Sequence, residues 1–139
     1  MPFVLDASLA LAWHFEDEVS EYADRVLDRV GEDRALVPSV WELEIANALA
    51  VAERRGRLSP AGVARAVELF LELPISIHEV ALESALGPVL DLARTQGMTA
   101  YDAAYLELAM REGLPLATED EALRAAAQRV GVPLVDKEE

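Results

Sequence analysis

The sequence predicts an α/β fold, a parallel sheet covered by helices on both faces, and three observations carry that prediction. Apolar runs of three or four residues alternate with helix-period segments of 10–17 residues. Glycine or proline follows the predicted helices, where a chain must stop and turn. The 139 residues are 53% apolar and 27% charged, a globular balance, and the length fits one domain, residues 1–139. A chain of this size buries enough surface to fold without a disulfide or metal staple.

The elements follow in order. Phe3-Val4-Leu5 is a short apolar run ending in Asp6, which predicts a buried strand with an acid at its carboxyl end. Ser8 is placed to cap a short helix reaching about Phe15. Tyr22, Val26 and Val30 recur every four residues, so a second helix is expected from about Val19 to Val30, stopped by Gly31. Ala35-Leu36-Val37 before Pro38 predicts a strand, and Ser39 caps a helix running to about Arg55 before Gly56. Ser59-Pro60 is a cap followed by proline in the first turn, and the helix it opens ends before Pro74.

Ile75-Ser76-Ile77 is the third expected strand, followed by a helix from about Val80 to Thr95. A helix over Ala100–Arg111 stops at Gly113, Leu114–Ala117 forms a fourth strand, and a helix over Glu119–Arg129 stops at Gly131. Val132–Val135 carries a proline and so predicts an edge strand. Only Lys137-Glu138-Glu139 has no packing pattern.

Composition removes whole classes of function. There is no cysteine, hence no disulfide scaffold, thiolate zinc site, iron–sulfur cluster or cysteine nucleophile. Two histidines, His14 and His78, are too few for a multi-histidine metal centre. The only lysine is Lys137, which excludes chemistry needing a central lysine. The net charge is −14, so the chain's own field repels bare polyanions and attracts cations, whether divalent metals or a basic partner segment. No apolar run reaches the ~18 residues of a membrane span, and no charged-then-apolar leader opens the chain, so the expectation is a soluble, cytoplasmic protein.

The familiar phosphate-binding and nucleophile motifs are absent, and acids at the ends of elements remain. Asp6 stands where ligands bind in open parallel sheets, beyond the carboxyl end of a strand. In the third helix Trp41, Ile45, Ala48 and Ala52 form an apolar stripe with Glu44 on one edge and Glu42 on the other; helical angle alone does not choose between them. Asp102 sits three residues after Thr99, either as part of a helix-start box or as a site acid among apolar neighbours. Thr118 with Glu121 matches a capping box, which leaves Asp120 to point over the sheet edge and Glu119 toward solvent. Arg54, Arg55 and Arg57 close the Glu44 helix, where basic residues favour the helix C-terminus and could also touch phosphate.

An Asp after the first strand is also the mark of receiver-type and dehalogenase-type phosphoryl transfer. Those sites need a lysine late in the sheet, and the dehalogenase type usually has a second Asp two residues on. This chain has Ser8 there and no such lysine.

Val4-Leu5-Asp6-Ala7-Ser8, Glu44-Ile45-Ala46-Asn47-Ala48-Leu49, Thr99-Ala100-Tyr101-Asp102-Ala103-Ala104-Tyr105-Leu106 and Leu116-Ala117-Thr118-Glu119-Asp120 resemble, in order, the four acidic motifs of PIN-domain ribonucleases. The likeness is greatest to the VapC toxins of type II toxin–antitoxin pairs, and it spans essentially the whole chain. It implies a PIN-like three-layer α/β/α sandwich with a mostly parallel central sheet. It also implies an endoribonuclease dependent on Mg²⁺, with Mn²⁺ as substitute. Carried over by position, Asp6, Glu44, Asp102 and Asp120 are the expected catalytic and metal-site acids, Asp6 and Asp102 being primary ligands. Asn47, Ser8 and Thr118 match polar residues lining the family's pocket. The expected partners are an RNA substrate, a cognate antitoxin with a basic C-terminal segment, and a second copy in a homodimer. A catalytically silent PIN-like module that only binds a partner is the alternative.

The physics of such a cluster agrees. Two carboxylates ~5 Å apart repel by about 3 kcal/mol at an effective dielectric of 20. Four together must take up protons or bind a hard, oxygen-seeking cation. A cation so held would supply the local positive potential that the −14 chain lacks.

Overall fold

The computed structural model describes residues 1–135, and the expectation for Lys137–Glu139 lies outside them. Four parallel strands, β1 (Phe3–Leu5), β2 (Ala35–Pro38), β3 (Ile75–His78) and β4 (Leu116–Ala117), form one sheet in the order β3-β2-β1-β4. β1 is fully buried and central; Val4 is in register with Leu36 on one side and Leu116 on the other. The predicted last strand contracts to one parallel bridge, Leu116 to Leu134, outside β4. Pro133 contributes only its carbonyl, which accepts the Leu116 N–H, as expected for proline at a sheet edge.

Eight helices cover the sheet among the described residues: α1 (Ala7–Ala12), α2 (Glu21–Asp33), α3 (Val40–Arg54), α4 (Pro60–Glu72), α5 (Leu82–Ser84), α6 (Leu90–Gln96), α7 (Ala100–Glu112) and α8 (Glu121–Val130). α7 packs on β1, β2 and β4 and buries seven consecutive residues, Ala103–Ala109, which is the pattern of a helix enclosed on all sides. α1 packs against α2 and α3. Phe3, Leu5, Leu9, Val26, Val37, Tyr105 and Leu106 belong to one continuous core. Among the described residues no helix is long and apolar enough to cross a membrane.

Several element ends differ from the sequence expectation, each for a local reason. α2 runs through Gly31 to Asp33, and the turn falls at Arg34, φ 74°. An unstrained helical glycine is tolerated, so Gly31 is no stop. Ser39 does not cap α3: it has right-handed helical backbone, and its Oγ accepts the Val80 N–H at 3.3 Å instead. The expected continuous helix over 80–95 is broken into α5, a π turn at Ala85–Val89, and α6. Pro88 lies in that turn; it offers no N–H and its ring crowds the carbonyl four residues back, so the α-ladder widens around it. Ser59 and Pro60 open α4 as expected, with the Ser59 hydroxyl accepting the Gly62 N–H at 3.0 Å.

Candidate active site

Asp6 leaves the central strand, its N–H bonded to the Ala117 carbonyl of β4 at 3.1 Å. Its residue is 5% exposed. Oδ2 accepts the Ser8 hydroxyl at 2.6 Å and the Thr118 hydroxyl at 2.7 Å, the second from a residue 112 positions away. Burial pushes the carboxyl above the ordinary range, the two hydroxyls pull it back, and Asp120 pushes it up again; the net direction is up.

These bonds correct two expected caps. Ser8 lies inside α1, whose N-cap is Asp6, and α1 ends at Ala12 rather than Phe15. Thr118 does not form a box with Glu121, because its hydroxyl donates to Asp6 and accepts the Asp120 N–H at 3.1 Å. Asp120 caps α8 instead, Oδ1 accepting the Leu123 N–H at 2.9 Å. Glu119 is half-buried rather than turned to solvent, and it accepts the Ser20 hydroxyl at 3.1 Å.

Glu44 and Glu42 part clearly on α3. Glu42 is exposed, whereas Glu44 is half-buried and accepts the Tyr105 hydroxyl at 2.7 Å. Burial raises the Glu44 carboxyl, the Tyr105 bond lowers it, and Asp6 and Asp102 raise it further. Asp102 lies in the first turn of α7, where its N–H donates to the Thr99 hydroxyl at 3.1 Å. Its carboxyl is also raised, by burial first and then by Asp6 and Asp120.

The four acids therefore act on one another: Asp6 on Glu44 and Asp102, Asp120 on Asp6 and Asp102, and Asp102 on Glu44. They come from the end of β1, from α3, from the start of α7 and from the start of α8. Every charged neighbour that shifts Asp6, Glu44 or Asp102 is another acid. Among the described residues no three acidic or histidine side chains already sit close enough to grip a metal. The donor set is all oxygen, which suits a hard divalent cation and disfavours a thiophilic one.

The remaining candidates are placed as follows. Asn47 is exposed on α3, one turn after Glu44. Arg57 is committed elsewhere, paired with Asp17 at 2.9 Å and Glu18 at 3.0 Å and lying over the Phe15 ring. Arg55 lines a 240 Å³ hollow between α1 and α3 together with Ser8. Two supporting residues escaped the sequence reading. Tyr105 holds Glu44, and Arg124 donates to the Thr118 carbonyl at 2.8 Å. The one available signal for Tyr105 was a polar-tipped ring in an otherwise apolar helix segment.

This chain is 34% identical over 125 residues to Ribonuclease VapC3 of Pyrobaculum aerophilum, covering 88% of this chain and 92% of that protein. Its fold matches the crystal structure of PAE2754 from Pyrobaculum aerophilum with a TM-score of 0.67 at 27% identity, over 91% of this chain and 87% of the other. VapBC2 from Rickettsia felis, bound to a DNA fragment from their promoter, shares the fold at a TM-score of 0.69 and 12% identity, over 97% of this chain and 98% of that one. A family model for the PIN domain matches residues 3–129, the span holding all four acids and the whole four-stranded sheet, and the chain belongs to the PIN domain family.

Proposed function

We propose that this chain is a single-domain, divalent-metal-dependent endoribonuclease that hydrolyses RNA phosphodiester bonds, and that it is the toxin of a VapBC-type toxin–antitoxin pair. The observation that carries this reading is the gathering of Asp6, Glu44, Asp102 and Asp120, in which the raised carboxyls of Asp6, Glu44 and Asp102 are each pushed up in part by other acids of the four. The relationship to Ribonuclease VapC3 supplies the substrate class. Asp6 and Asp102 would hold Mg²⁺ as primary ligands, Mn²⁺ substituting, while Glu44 and Asp120 complete the site or hold the attacking water. A bound Mg²⁺ would supply positive charge to a phosphate oxygen and acidify a water.

The chain's own residues do the rest. Ser8 and Thr118 fix Asp6 Oδ2 through two short hydrogen bonds, so the carboxylate does not rotate away from its neighbours. Tyr105 fixes Glu44 in the same manner. Asp120 is held by its own helix, since one of its oxygens caps α8.

The partners follow from charge and surface. The −14 chain with an acid cluster suits a basic C-terminal segment of a cytoplasmic antitoxin, whose arginine could pair bidentately with two of the carboxylates. Exposed Leu43 and Tyr101 flank a 330 Å³ apolar hollow between α3 and α7, a surface that fits the second copy of a homodimer. The test is incubation of the purified chain with single-stranded RNA in Mg²⁺, in Mn²⁺ and in chelator. Cleavage in both metals and none in chelator is expected. Metal binding without cleavage of any RNA would support the silent partner-binding module.

A further inference from the structure

We infer that Tyr105 is a positioning residue, setting the Glu44 carboxylate for metal binding from the same helix that carries Asp102. The inference rests on the metal-site reading above. Tyr105 is a fully buried side chain, 0% exposed, in the middle of α7. Its ring fills core volume that phenylalanine would fill equally well. The hydroxyl is what phenylalanine lacks, and it donates to Glu44 Oε1 at 2.7 Å, across 61 residues of sequence.

That bond ties the Glu44 carboxylate of α3 to the buried middle of α7, the helix whose first turn carries Asp102. Two of the four acids are thus referred to the same rigid helix.

A buried tyrosine with a satisfied hydroxyl could be structural only, and a double-mutant cycle separates the two roles. Mn²⁺ affinity is titrated by calorimetry in the wild-type chain, Tyr105→Phe, Glu44→Gln and the double variant, with circular dichroism confirming that each is folded. Loss of an outer hydrogen bond to a metal ligand costs roughly 10–100-fold in affinity. Tyr105→Phe should therefore weaken Mn²⁺ binding about tenfold in the wild-type background, and leave it unchanged within about twofold in the Glu44→Gln background. Leu108→Val, a buried apolar change on the same helix, should lower the melting temperature without moving Mn²⁺ affinity. An equal loss in both backgrounds would overturn the inference, since Tyr105 would then act through the fold. So would unchanged affinity in Tyr105→Phe. A wild-type chain that binds no Mn²⁺ would instead sink the metal-site reading from which the inference starts.

Discussion

Asp6 and Glu107 are buried to the same degree, 5% and 6% exposed, and they keep opposite company. Glu107 in α7 faces Arg111 one turn later, with Nε 3.0 Å from its carboxylate. Its charge is matched within its own helix. Asp6 is met by two hydroxyls and by three other acids. Burying a carboxylate costs several kcal/mol unless it is paired. Pairing one such group locally while gathering acids around the other fits the cation site proposed at the second. Arg57 makes the same point at the surface, pairing with Asp17 and Glu18 next to the hollow that Ser8 helps to line.

The largest effect expected from this contrast is on activity. Asp102→Asn should reduce RNA cleavage by more than about a hundredfold, since even outer hydrogen-bond partners of metal ligands reach that figure. Glu107→Gln should leave cleavage within about twofold, because its side chain bonds to Arg111 and to none of the four acids. Initial rates on one RNA at saturating Mg²⁺ decide the matter. Comparable losses in both variants would mean that burial alone, and not company, explains the sensitivity.

The next effect is on stability, with the order reversed. Glu107→Gln leaves Arg111 without its partner; because Arg111 is 38% exposed on its side chain, water takes up part of the loss. A destabilisation of about 1–2 kcal/mol in urea unfolding is expected, below the 3–5 kcal/mol of a fully buried pair.

Asp6→Asn should do the opposite in metal-free protein. Both hydroxyls donate to a single oxygen, Oδ2, which an asparagine carbonyl can replace, and one repelling charge is removed. Its melting temperature should equal or exceed the parent's. The sign with pH follows from the raised values of Asp6, Glu44 and Asp102. Each binds its proton more tightly folded than unfolded. The stability so gained is fully present below about pH 4, the ordinary carboxyl value, and is lost as pH rises through the raised folded values. The advantage of Asp6→Asn should accordingly grow from pH 4 to pH 7 in thermal melts without metal. An advantage that shrinks with rising pH would contradict the repulsion.

Much of the frame was legible in the sequence because it rests on local pattern. Phe3-Val4-Leu5 reads as a buried strand from its apolar run, and Ser59-Pro60 reads as a helix start from cap and proline. What failed to read was decided by distant partners. Ser8 and Thr118 are ordinary helix-cap residues until Asp6 takes both hydroxyls, and Thr118 is 112 positions from it. Glu44 and Glu42 are equivalent by helical angle; the motif resemblance picks Glu44, and the physical difference between them, burial and the Tyr105 hydroxyl from another helix, lies outside local pattern. Pro88 was legible as a breaker, yet the periodicity around it carries the expected helix straight through.

The central claim is that the four acids form one cation site, and the most direct test is a crystal structure of the chain grown with Mn²⁺. The account predicts an anomalous peak bound by the carboxylates of Asp6 and Asp102, with Glu44 and Asp120 reaching the same ion directly or through its water shell. Mn²⁺ bound elsewhere would contradict it. So would any two of these carboxyl groups lying more than about 12 Å apart, beyond what one ion and its waters can bridge.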